Sequence, residues 1–273
     1  MKIVIGNQSN NDEQLSKALI QARDGDIIEL LPGSYFSPDS PFICTIRRNI
    51  TLIGTSKNKN DVKLYCSFTV GEATTIILKN LTINYMATDE NTLAAYDGAR
   101  VYGNNITIDR KSEDDWDTVY GQNSFFSFKD SNIYTGAKTK AIGLSLENSQ
   151  IFAIDSFIEL MFQKNSKSFL KDSTITNKLE LRRHSELNFN NLTIDSTKFY
   201  VKNDLAVKSS SQFSGQNLIF IRPLPQIRIL KSKFNVTGFQ PELNYIGFKS
   251  DKNSEILTDG FNQGPSDNSK NTK

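Results

Sequence analysis

Four carboxylates, Glu113, Asp114, Asp115 and Asp117, crowd into five positions around Trp116, the single tryptophan of the chain. An oxygen-rich cluster of this kind suits Ca²⁺, and a pair of acids beside an aromatic ring suits the binding or cleavage of a sugar. The same residues also make a solvated acidic loop with the indole laid on an outer wall. The run lacks the Gly-assisted turn and the alternating ligands of common Ca²⁺ loops. A second group is Arg182, Arg183 and His184, the only histidine. Histidine is the side chain most used for proton transfer near neutral pH, so His184 with Glu186 is an acid–base candidate. Alternation along Leu179-Glu180-Leu181-Arg182 instead turns the leucines inward and the charges outward, which makes a plain charged face. The basic pair Arg47-Arg48, just before a corner, reads the same way. An enzyme would draw on Asp114, Asp115, Asp117, Arg182 and His184, with Trp116 holding the ligand. Ca²⁺, if bound, would fall to Glu113, Asp114, Asp115 and Asp117. The preferred reading assigns no catalytic residue, no metal and no cofactor.

Phenylalanines crowd the middle of the chain, at 125, 126, 128, 152, 157, 162 and 169. A ladder of rings stacked inside a coil is the expected use, and an aromatic groove for a glycan or a peptide is the alternative. Cys44 and Cys66 are the only cysteines, too few for a disulfide framework. Their spacing is about one turn of a coil, so two reduced thiols in an inward-facing column are expected, with a disulfide between stacked neighbours as the alternative.

These residues need a frame, and the sequence supplies one in repeated phrases. Residues 11 to 23 place Leu15, Ala18, Leu19 and Ala22 at helical spacing, with Asn11 or Asp12 as N-cap and Gly25 as the stop. Beyond this one helix, short alternating apolar runs follow one another, among them Ile50 to Ile53, Thr75 to Leu78, Ile106 to Ile108, Leu187 to Phe189 and Leu218 to Ile221. Similar corners join them: Lys79-Asn80, Gly103-Asn104-Asn105, Asp130-Ser131-Asn132, Asn148-Ser149-Gln150, Lys171-Asp172-Ser173, Asn190-Asn191 and Gly215-Gln216-Asn217. Asn makes up roughly a tenth of the chain, and Asn tolerates the left-handed backbone that a tight corner demands. A loose period of roughly 17 to 27 residues fits coils whose strands stay in register while outward loops vary in length. Hairpin dipeptides are sparse and absent from the repeated corners, which argues against a sandwich or a barrel. The helix is read as a cap over the open end of the coil, where strand edges would otherwise invite association. Residues 1–258 are taken as one domain and 259–273 as a disordered polar tail.

Composition agrees with a thin, extended core: 37% of residues are hydrophobic and mean hydropathy is −0.42. With 32 Lys and Arg against 30 Asp and Glu, no molecule-wide field recruits nucleic acid. The apolar run at the N-terminus is too short for a signal peptide, and nothing resembles a membrane span, so a cytoplasmic location is the default. A phage particle or leaderless export would leave the same sequence.

The phrase Gly25-Asp26, an apolar strand, Leu31-Pro32-Gly33-Ser34-Tyr35, then Ile50-Thr51-Leu52-Ile53-Gly54-Thr55 resembles the opening of right-handed parallel β-helix proteins of the pectate-lyase-like superfamily. The match covers about the first 85 residues; beyond them only the strand phrases are similar. The resemblance implies an all-β, single-stranded right-handed parallel β-helix capped by one α-helix. The superfamily holds polysaccharide lyases, glycoside hydrolases, esterases, phage tailspikes, adhesins and non-catalytic proteins, so it implies fold more than activity. Pectate lyases of this kind carry Trp-Ile-Asp-His and Arg-x-Pro-x-x-Arg. Here Asp115-Trp116-Asp117-Thr118 lacks the Ile and the His, and Arg222-Pro223-Leu224-Pro225-Gln226-Ile227-Arg228 has Pro223 where the first Arg belongs. Those roles therefore do not transfer. The expectation is a non-catalytic scaffold or recognition protein, monomeric or trimeric, that binds a protein or polysaccharide partner on a long flat face. A divergent carbohydrate-active enzyme and a phage-type receptor-binding component are the alternatives.

Overall fold

A computed structural model describes residues 1–6, 10–111, 115–135, 142–197, 202–222, 224–240 and 247–259. Residues 260–273, nearly all of the expected tail, lie outside the described residues. The chain forms two compact units, Met1–Ile151 and Phe152–Lys273. Each is an all-β parallel solenoid in which successive strands stack instead of folding back as hairpins.

In the first unit the alternation of the sequence becomes columns of stacked side chains. Ile50 lies beside Ile76, Ile76 beside Val101 and Val101 beside Phe126; Leu52, Leu78, Gly103 and Phe128 make the next inward column. Gly103 is required there, because a Cβ would stand 2.5 Å from the Ile106 side chain and 2.7 Å from the Phe128 ring. Gly121 makes room for the Phe126 ring in the same way. The helix Asn11–Gln21 buries Leu15, Ala18 and Leu19 against the strands Lys2–Ile5, Gly33–Tyr35 and Phe42–Ile46. Its N-cap is Asn10, and Asp12 instead accepts a hydrogen bond from the Phe36 backbone N–H at 2.7 Å. The opening phrase has a structural explanation. Tyr35 is buried with its hydroxyl 2.9 Å from the Ile5 carbonyl and 2.8 Å from that of Leu31. Asp24 accepts from the Asn49 N–H, and Asn49 in turn from Thr75.

All seven predicted corners contain a residue in the left-handed region: Asn80, Asn105, Asp130, Asn148, Asp172, Asn191 and Asn217. Their side chains link one coil to the next. Asn105 donates to Asn80 at 2.9 Å in the first unit, and Asn217 donates to Asn191 at 2.7 Å and Asn191 to Asp172 at 2.6 Å in the second. Buried serines form a parallel stack at other corners. The N–H of Ser166 reaches the Ser185 hydroxyl, Ser185 that of Ser211, and Ser211 that of Ser232.

The aromatic and thiol columns differ from expectation. Phe126 and Phe128 face inward, but Phe125 has the opposite parity, and Phe152 is 47% exposed. The internal ring ladder belongs to the second unit, where Phe189, Phe213 and Phe234 follow one another at 4.8 and 5.5 Å. Cys44 lies beside Phe68 and Cys66 beside Phe42, so the buried, reduced thiols are two positions out of register. Burial pushes the Cys44 thiol up to about 11, which leaves it unreactive.

Candidate functional site

The strands Leu93–Tyr96, Val119–Gln122 and Leu144–Glu147 stack in parallel in the first unit, with Ala94, Tyr120 and Ser145 in one outward column and Tyr96, Gln122 and Glu147 in the next. Two loops reach over them. Residues 86–92 follow the strand Thr75–Tyr85, and the described residues 111 and 115–118 follow Arg100–Arg110. Between strands and loops lies an open cleft of about 560 Å³ lined by Thr88, Asn91, Tyr96, Asp115, Trp116, Asp117 and Tyr120.

The first loop is anchored from beneath. Arg110, only 1% exposed, donates to the carbonyls of Glu90 and Ala87 and stacks over the Tyr85 ring, 5.5 Å from its centroid. The Tyr85 hydroxyl donates to Asp89 at 2.5 Å. Asn91 is buried; its carbonyl accepts from the Ser67 hydroxyl at 2.6 Å, and its amide donates to the Asp117 carbonyl at 2.7 Å. That last bond ties the two loops together.

The two loop acids differ. Asp115 is exposed on the cleft, whereas Asp117 is largely enclosed and accepts from the Ile142 N–H at 3.1 Å. Burial pushes the Asp117 carboxyl above the usual carboxylate range, against hydrogen bonds from Ile142 and Ser145 and the charge of Arg110. Trp116, between them, keeps 43% of its surface exposed, and the rings of Tyr96 and Tyr120 lie 5.7 Å apart at 50°. Three aromatic rings and two carboxylates thus share one concave surface, the composition of a site for a ring-shaped polar ligand.

Glu113 and Asp114 lie outside the described residues. Among the described residues, no three His, Cys, Asp or Glu side chains are grouped to hold a metal ion. Arg182 and His184 belong to the second unit and are engaged there. The Arg182 Nε donates to Glu180 at 2.6 Å, with the guanidinium 5.3 Å over the Phe162 ring. His184 occupies a left-handed corner position, with its N–H on the Ser209 carbonyl, and the Glu186 carboxylate pairs with Lys167 at 3.3 Å. Glu180, expected to point outward, is buried under Lys178, Arg182 and Lys208. Arg222 pairs with the buried Asp204 at 3.2 Å.

Tyr96 and Tyr120 went unnoticed in the sequence because the strands that carry them, Leu-Ala-Ala-Tyr and Val-Tyr-Gly-Gln, are short and rich in small residues. The one usable signal was their place after the long loops, a coil apart.

No protein-family model matches this sequence, and no curated protein matches it. Solved structures do. An alginate lyase from Paenibacillus sp. str. FPU-7 is similar over 96% of this chain and 99% of its own, at 12% identity and a TM-score of 0.45. The pectin methylesterase from Aspergillus niger is similar over 95% of this chain and 86% of its own, at 11% identity and a TM-score of 0.46. The rice weevil pectin methyl esterase covers 95% and 89%, at 10% identity and a TM-score of 0.33. At this identity and superposition the likeness assigns this chain no activity.

Proposed function

We propose that the chain is a non-catalytic recognition solenoid that binds a saccharide in the cleft between Tyr96, Trp116 and Tyr120. The supporting observation is the exposed indole of Trp116 in a concave site with two further rings and two carboxylates. A pyranose ring has an apolar face that packs on an aromatic ring, while its hydroxyls donate to carboxylates at the edge. Asp115, open to the cleft, is the acceptor for those hydroxyls. Asp117 mainly holds the loop, through the Ile142 N–H and the Asn91 amide on its carbonyl.

Because Trp116 is the only tryptophan, emission excited selectively at tryptophan reports on this cleft alone. Titration with neutral and acidic hexasaccharides is expected to shift the emission with at least one of them. Trp116→Phe should keep part of the affinity, and Trp116→Ala should lower it about tenfold or more, followed by calorimetry. Emission unmoved by the whole panel would remove the proposal.

One observation favours a second reading: a carboxyl raised by burial beside an exposed one, Asp117 and Asp115, is an arrangement that acid–base cleavage of a glycosidic bond uses. Such an enzyme releases reducing ends or unsaturated products from polysaccharides, and Asp115→Ala abolishes the release.

A further inference from the structure

On the other side of the corner formed by Asp97, Gly98 and Ala99, the first unit carries a second concavity of about 510 Å³. It lies on the stack of strands Arg100–Arg110, Phe125–Lys129 and Gln150–Ile154, and it shares no lining residue with the cleft of Trp116. Arg100 and Tyr102 are successive outward residues of one strand, and Phe125 lies directly beside Arg100 on the next. The Tyr102 and Phe125 rings are 5.8 Å apart at 51°. The left-handed corner residues Asn123 and Asn148 place side-chain amides along one rim, and Gln150 adds a third.

The charge here is one-sided. Arg100 is exposed and has no ion-pair partner among the described residues, and no Asp or Glu lines the concavity. A planar guanidinium with free donors recognises a carboxylate through two parallel hydrogen bonds. Two aromatic rings beside it offer a platform for an apolar ring face, and the Gln150 amide at the rim offers a donor and an acceptor to hydroxyls. We infer that this concavity is a second binding site, for a sugar ring that bears a carboxylate, with Arg100 on the acid group and Tyr102 and Phe125 under the ring. The cleft of Trp116, with Asp115 and Asp117 on its surface, repels the same ligand, so the two faces of the corner select saccharides of opposite character.

Ligand-detected NMR and calorimetry with sialyllactose and a hyaluronan tetrasaccharide, against lactose and sulfated lactose, test the site. At least one carboxylated ligand is expected to bind about tenfold or more tightly than lactose, because a hydrogen-bonded charge contributes on that scale. Arg100→Gln should remove this advantage, Arg100→Lys restore part of it, and Tyr102→Ala weaken all binding here, whereas Trp116→Ala, which acts on the other cleft, should leave the affinity for the carboxylated ligands in place. Arg100 is exposed, so far-UV circular dichroism should show its variants folded. The inference is overturned if neither carboxylated ligand outbinds lactose, or if Arg100→Gln leaves the preference intact. It is overturned equally if Trp116→Ala abolishes the binding, or if sulfated lactose binds more tightly than both carboxylated ligands. Failure of the Trp116 cleft to bind any saccharide leaves these outcomes unaltered, since the two sites have no residue in common.

Discussion

Glu180 accepts a hydrogen bond of 2.6 Å from the Nε of Arg182, two residues along the same strand, although Glu180 is 4% exposed and Arg182 reaches solvent. Lys208, 28 residues further on, donates to the same carboxylate at 2.8 Å, and Lys178 to its other oxygen. Burial pushes the Glu180 carboxyl up, but the three cations outweigh it and hold it at about 2. A carboxyl depressed in the folded state contributes stability at pH values above its unfolded pKa, near 4.5 here, and loses it as pH falls towards 2. Glu180→Gln should therefore cost about 2 kcal/mol near neutral pH, a figure reduced for the solvent that screens the three cations. Thermal denaturation of both proteins from pH 7 to pH 2 should show the difference shrinking below pH 4.5. A difference independent of pH would refute this account.

Asp117 has the opposite sign. Its carboxyl is raised, so the folded state binds more protons than the unfolded state, and stability falls as pH rises through the folded pKa. Asp117→Asn should raise the melting temperature at neutral pH, and the gain should vanish once pH drops below the ordinary aspartate range. A variant less stable than the parent at every pH would mean that the hydrogen bonds to Ile142 and Ser145 outweigh the burial of the charge.

Arg110 holds the loop of residues 86–92 by its backbone, and through Asn91 that loop is bonded to Asp117. Arg110→Met leaves the carbonyls of Ala87 and Glu90 without this donor and should cost about 3 kcal/mol. Hydrogen exchange should rise in the loop, and the Asp117 carboxyl, deprived of a nearby positive charge, should titrate still higher by NMR. An unmoved Asp117 titration would limit Arg110 to a structural part.

Asn191 is the test of the corners. It sits at φ 58° and is bonded to Asp172 on one side and Asn217 on the other. Asn191→Ala should cost about 2 kcal/mol, and Asn191→Gly about 1 kcal/mol, because glycine keeps the left-handed backbone and loses only the exposed amide bonds. Urea denaturation separates the two. Equal losses would show that the amide ladder, and not the backbone, is what the corner requires.

The coil was legible because both of its periods are local. Alternation at every second residue separates inward from outward along each strand, as in Ile50-Thr51-Leu52-Ile53, and Asn or Asp marks each reversal because few other side chains accept a left-handed backbone. The stacked serines were not read from the sequence: a short hydroxyl beside a bend serves the next coil's N–H only once the coils are stacked. Reading failed where a strand was short and small-residued, at Leu93–Tyr96 and Val119–Gln122. Parity held at Glu180, which alternates with the inward Leu179 and Leu181, but its burial could not be counted off the strand, because the cations that cover it include Lys208 of a later coil.

The sequence by itself determined that this chain winds as a parallel solenoid under one capping helix, and that Asp115, Trp116 and Asp117 lie together on a connection. Only the tertiary structure decided which side chains meet across coils. Tyr96 and Tyr120 join Trp116, and Arg100 joins Phe125 on the other side of the corner. The reason is geometric: inward or outward is fixed by a period of two residues, whereas the neighbour across the stack depends on the length of every intervening loop, and those lengths vary from coil to coil.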